Sequence, residues 1–206
     1  MRKTVIAFLA AALALCAATN VFAGQKVLLI VKEGSEAMDL MLAKEVGMML
    51  SLLRQSGYEP VVATESGRLL KGNSTSLQPD LKLSDVAIRE YVGVIVPCMA
   101  YGIYMGIAPE GVSLVKQAFD LGVPIAAQQG GVAFLAKAGI LKGKRFAISQ
   151  GYESIAPEGI YQGNGVTIDG RIVTAGVCPY RETATSPGTT EELTKWFIKL
   201  LKAGQP

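Results

Sequence analysis

The chain has 206 residues, half of them hydrophobic, and 20 Lys+Arg against 17 Asp+Glu give a formal net charge of +3. It contains no histidine, which excludes Ser-His-Asp and Cys-His catalytic sets and removes the commonest metal ligand. No basic run follows the first residues, so neither nucleic acid nor an anionic membrane is an expected partner.

Met1–Ala23 reads as a signal peptide. Arg2 and Lys3 precede the apolar run Val5–Leu15, and Val21-Phe22-Ala23 has the small–x–small form of a cleavage site. Leu15 is too large for the position before a lipidated cysteine, which argues against an anchor on Cys16. The run is also short for a membrane span. The expectation is cleavage after Ala23, export to the periplasm and no membrane association afterwards. Losing Arg2 and Lys3 leaves a mature charge of about +1. The remaining ~183 residues, 24–206, suffice for a single domain with a sizeable core. Its cysteines, Cys98 and Cys178, lie far from any zinc spacing, so no metal or cofactor is expected.

Strand and helix signals then alternate, the pattern of a mostly parallel α/β sheet. Lys26–Val31 is an apolar first strand, and Gly34-Ser35 turns the chain into a helix over Glu36–Gln55. Met38, Leu42, Val46, Met49 and Leu53 share one buried face of that helix. Pro60–Ala63 is the second strand, Gly67–Asp80 a loop or small hairpin, and Gly93–Val96 the third strand. The uncharged stretch 91–109 is broken by Pro97, Gly102, Gly106 and Pro109, which suits a buried strand and loop better than a membrane helix. Pro109 opens a helix ending near Gly122. Lys144–Ser149 reads as a strand, Val166–Thr174 as a hairpin turning at Asp169-Gly170, and Thr190–Lys202 as a closing amphipathic helix.

The organising stretch is Val123–Gly139. Pro124–Ala127 suits a strand buried on both faces, Gln128 stands at an abrupt turn, and a helix opens at Gly130-Gly131. Such turns at the carboxyl edge of a parallel sheet commonly carry a nucleophile. Glutamine is not one.

Together the segments VLLIVKEGSEAMDL, GVIVPCMAYG, PIAAQQGGVAFLAKAGILKGK, VTIDGRIVTA and SPGTTEELTKWFIKLL resemble the ThiJ/PfpI superfamily. That group includes the parkinsonism-associated deglycase, PfpI-type proteases and class I glutamine-amidotransferase-like domains. The resemblance runs from about Lys26 to Leu201 and implies a flavodoxin-like three-layer sandwich and a homodimer. It places the family's early helical acid on Asp39, its elbow cysteine on Gln128 and the following histidine on Gln129. Its oxyanion Gly-Gly pair falls on Cys98-Met99. Extra residues lie around Cys178–Ser186.

Asp39, Cys98, Met99, Gln128, Gln129 and Gly130 are therefore the expected ligand-binding set, with Asp39 accepting a hydrogen bond from the Gln128 amide. An acid in a first helical turn also simply complements the dipole, whereas a buried amide needs partners and is costly as filler. Cys98 is the candidate displaced nucleophile, though a buried cysteine is usually a small hydrophobe and no neighbouring base is visible. A Cys98–Cys178 disulfide is a separate option in an oxidising compartment. Tyr101, Tyr104, Tyr152 and Tyr161 are candidates to line a cleft. Two functions follow: a non-catalytic domain binding a small molecule or protein at the degenerate elbow, or a Cys98-dependent hydrolase or glyoxalase-like enzyme.

Overall fold

The computed structural model describes residues 24–204; the signal-peptide reading of Met1–Ala23 falls outside them. Strand β1 (Gln25–Ile30) leads into a helix of three parts: α1 (Met38–Met41), a π turn (Leu42–Val46) and α2 (Gly47–Gln55). Then come β2 (Tyr58–Thr64), the small hairpin β3 (Leu70–Lys71) and β4 (Ser76–Leu77), and the edge strand β5 (Leu81–Lys82). Next are β6 (Tyr91–Val96), α3 (Pro109–Asp120), β7 (Ile125–Gln128) and α4 (Val132–Lys137). The chain ends with β8 (Arg145–Phe146), β9 (Ile160–Tyr161), the hairpin β10 (Val166–Asp169) and β11 (Ile172–Ala175), and α5 (Thr190–Ala203).

Seven strands form one sheet in the order β10-β11-β7-β6-β1-β2-β5, parallel except for the β10–β11 hairpin. Alternation along the strands divides the core in two. Leu28, Ile30, Val94, Val96, Ile125 and Ala127 face α3 and α4. Val27, Leu29, Ile95, Ala126 and Val173 face α1, α2 and α5. Helices on both faces of a mostly parallel sheet, as the alternation of strands and helices predicts, make this the flavodoxin-like three-layer sandwich that the resemblance implies.

Lys144–Ser149 departs from expectation: only Arg145–Phe146 pairs, with Ile160–Tyr161 and off the main sheet. Beyond it the Ala147 N–H donates to Thr174 Oγ1 (2.8 Å) and the Ser149 N–H to Gln129 Oε1 (3.0 Å). Between them the Ile148 N–H donates to Gly163 O (3.0 Å), so side chains and one isolated backbone bond satisfy this stretch without a ladder to the main sheet.

Candidate functional site

Loops after β1, β6, β7 and β11 meet at the carboxyl edge of the sheet and enclose a cavity of about 150 Å³ lined by Glu36, Cys98, Tyr101, Gln129, Tyr152, Cys178 and Arg181, among others. The point of the elbow is not Gln128. That residue is the last of β7, with an ordinary extended φ of −113°, whereas Gln129 takes a left-handed φ of 42°. The turn is thus one residue later than the sequence suggests. Close packing explains the glycines that follow: a Cβ on Gly131 would stand 2.0 Å from the Val96 carbonyl oxygen.

The expected Asp39–Gln128 bond does not form. Gln128 is fully buried, its Nε2 donates to Val177 O (2.7 Å), and it ties β7 to the segment leaving β11, outside the cavity. Asp39 is held elsewhere, because the N–H groups of Asn73, Ser74 and Thr75 and the Thr75 hydroxyl all donate to its carboxylate at 2.7–2.9 Å. Those donors hold its pKa far below the usual carboxylate range. Asp39 organises the turn between β3 and β4.

The acid under the site is Glu45, which sequence reasoning missed. It lies in the π turn, fully buried, and accepts the Cys98 N–H and Met99 N–H at 3.0 Å each. Burial pushes its pKa well above the carboxylate range. Those N–H groups therefore point to Glu45 and not into the cavity, and Met99, fully buried, does not line it. A signal existed in the sequence: position 45 lies three residues after Leu42 and four before Met49, on the apolar face.

Among the described residues, non-glycine positive φ occurs only at Met99 (59°), Ala100 (46°) and Gln129 (42°), so the backbone strain gathers around this cavity. It aims donors at sulfur. The Ala100 N–H reaches Cys98 Sγ at 3.4 Å, and the Gly130 N–H also donates to it. The Cys178 thiol hydrogen-bonds to Cys98 and, as the largest cause, draws the Cys98 pKa down from 9.0 to about 6. Cys178 is pushed in the opposite direction by that same bond. Both cysteines are free and buried.

Lys32, also missed from sequence, is 2% exposed and donates to Gly102 O at 3.2 Å. Its Nζ and Cys98 Sγ both lie within 3.5 Å of where a Cβ on Gly130 would stand. Burial lowers its pKa, opposed by the nearby Cys98 and Glu45.

Of the expected tyrosines, Tyr101 and Tyr152 line the cavity; Tyr104 is exposed, and Tyr161 packs on Phe146, their ring centroids 5.9 Å apart. Two clasps cross the rim: Tyr180 donates to Glu36 (3.0 Å) and Arg181 to the Tyr152 hydroxyl (2.8 Å). Among the described residues, no group of three or more Cys, Asp or Glu is placed to hold a metal ion, and no helix is long and apolar enough to cross a membrane.

A doubly wound sheet with a strained strand-to-helix elbow defines a flavodoxin-like domain of the elbow type. The DJ-1/PfpI family model matches residues 25–199, and the chain belongs to that family. Its fold is similar to that of a ThiJ/PfpI domain protein from Brachyspira murdochii, with a TM-score of 0.74 and 18% identity over 89% of this chain and 99% of that one. Drosophila melanogaster DJ-1beta gives a TM-score of 0.69 and 23% identity over 88% and 92%. An uncharacterized protein of Archaeoglobus fulgidus is 31% identical over 126 residues, 60% of this chain and 75% of the relative.

Proposed function

We propose that this is an exported family member that binds a small polar molecule in the cavity around Gln129 and performs no covalent chemistry through its elbow. The observation that carries this is Gln129 itself. It holds the turn at φ 42°, and its Oε1 is committed to the Ser149 N–H. A carboxamide has no ionisable group near neutral pH and cannot form the covalent intermediate that an elbow thiolate forms.

A cavity of about 150 Å³ is smaller than the ~300–1,000 Å³ of drug-sized sites, so the ligand is a fragment-sized molecule. Arg181 at the rim supplies a planar fork suited to a carboxylate. Calorimetry with short hydroxy- and keto-carboxylates tests the reading. Saturable binding should persist when Cys98 and Cys178 are both serine and vanish in Arg181→Ala. Folded wild type that binds none of them would sink the proposal.

One observation favours a second reading, a Cys98-dependent hydrolase or glyoxalase-like enzyme: the Cys98 sulfur has two N–H donors and a pKa drawn down to about 6. Turnover of methylglyoxal or a peptide that disappears in Cys98→Ser would establish it. Export and a homodimer belong to the same proposal. Their checks are an intact mass beginning at Gly24 and light scattering at twice the monomer mass.

A further inference from the structure

Cys98 follows β6 and Cys178 follows β11, the two strands that flank β7. Their loops lean over the end of β7, so the thiols touch beside the elbow residue and both line the cavity. A single buried cysteine is ordinarily a small hydrophobe. Here two sulfurs meet, one of them takes backbone N–H groups from Ala100 and Gly130, and a buried ammonium, Lys32, stands close by. This surrounds a sulfur as an anion is surrounded.

We propose that Cys98 and Cys178 form a dithiol–disulfide site that exchanges with small organic disulfides entering the cavity, Cys98 attacking and Cys178 resolving. The Cys98 thiolate attacks one sulfur of RSSR, whose S–S bond breaks; RS⁻ leaves and takes up a proton, and a Cys98–S–S–R mixed disulfide remains. Cys178 then loses its proton and attacks Cys98 Sγ. The S–S bond between Cys98 Sγ and the SR group breaks, and a second RS⁻ departs with that proton. The net result is one Cys98–Cys178 disulfide and two RSH in place of RSSR, the protein oxidised and the small disulfide reduced.

The two thiols are suited to these unequal roles. Cys98 ionises near 6, while Cys178 is pushed up chiefly by its hydrogen bond to Cys98, then by burial and by the Cys98 charge. When Cys98 enters the mixed disulfide its charge disappears, and the part of the push on Cys178 that comes from Cys98 is relieved just when the resolving thiol is needed. The walls, Tyr101, Tyr152 and Tyr180, offer apolar surface to the R group.

This rests on the cavity admitting small molecules, as the proposed function does, and the test separates the two. Reduced protein is incubated with bis(2-hydroxyethyl) disulfide, quenched in acid, alkylated and peptide-mapped by mass spectrometry, with circular dichroism confirming the fold of each variant. Wild type should give the linked Cys98–Cys178 peptide and no lasting adduct. Cys178→Ser should stop at a stable mercaptoethanol adduct on Cys98, and in Cys98→Ser the remaining Cys178 should react at least about tenfold more slowly. A lasting Cys98 adduct in wild type with Cys178 still free would overturn the pair while leaving the open cavity intact. No reaction at either cysteine of folded wild type would overturn the pair and count against cavity access as well.

Discussion

Replacing Glu45 with glutamine tests whether this buried acid builds the loop that carries Cys98. Each Glu45 oxygen accepts one backbone N–H at 3.0 Å, with no solvent to substitute for it. Glutamine keeps one acceptor and turns an NH2 toward the other N–H, so one buried donor loses its partner, at a cost of about 1–3 kcal/mol. The opposing gain, relief of a buried charge, is small, because burial already favours the neutral acid by raising its pKa. The orphaned donor decides the sign. Glu45→Ala orphans both donors and should cost roughly twice as much.

For a loss of about 2 kcal/mol and a urea slope of about 2–3 kcal/mol/M, the unfolding midpoint falls by about 0.7–1 M. A second readout is chemical. The same N–H anchors hold Met99 and Ala100 at φ 59° and 46°, and Ala100 donates to the Cys98 sulfur. Once the loop relaxes, the Cys98 ionisation midpoint should move upward. A Glu45→Gln midpoint within about 0.2 M of wild type, together with an unchanged Cys98 titration, would refute the assignment.

Gly131→Ala would press a methyl against the Val96 carbonyl oxygen at 2.0 Å, where only backbone could yield; a loss of about 3 kcal/mol or more is expected in urea unfolding. Gly165→Ala, with open space around it, should stay within about 0.5 kcal/mol. With Cys98 and Cys178 replaced by serine, Gln129→Cys should alkylate faster than Gln128→Cys, because position 129 lines the cavity and position 128 does not; the reverse order would return the elbow to Gln128. In wild type, Cys98 alkylation should rise through a midpoint near 6. Its folded pKa lies below the unfolded value of 9.0, so its contribution to stability is complete above 9.0 and lost as pH falls through about 6. The Cys98→Ser variant should lose that pH dependence in denaturation midpoints measured across the window.

The fold was legible because hydrophobic patterning states it: buried strands such as Val27–Ile30 and Ile125–Ala127 are continuous apolar runs, and the α5 residues Leu193, Phe197 and Leu201 return at helical spacing. The site was legible in part. Cys98, Gln129 and Gly130 stand where strands end, which chain order alone brings together at one edge. Asp39 misled because four donors from residues 73–75 capture it, and a turn rich in Ser and Thr gives no sign of which acid it will bind. Gln128 misled because the register of a turn is set by φ at a single residue, and Gln-Gln offers two equal choices. Lys32 and Cys178 gain their roles only from packing between loops distant in sequence.

That packing follows from topology. The order β11-β7-β6-β1 reverses direction of winding between β6 and β1, and a sheet leaves a crevice at the carboxyl ends beside such a switch point. Glu36 after β1, Cys98 after β6, Gln129 after β7 and Cys178 after β11 all overhang it. Neighbouring strands lie only about 4.8 Å apart, so side chains from either flank of β7 reach the space an elbow side chain occupies. A glutamine at the elbow therefore does not leave the site without thiols. Cys98 follows β6 and Cys178 follows β11, and because these strands flank β7 on opposite sides, both line the cavity beside the elbow. Donors are present too: the left-handed turns at Met99 and Ala100 bring the Ala100 N–H to Cys98, the stabilisation that a helix N-terminus lends an elbow thiolate. On this argument, chemistry in this chain is sought at the Cys98–Cys178 contact and recognition at Gln129 and Arg181.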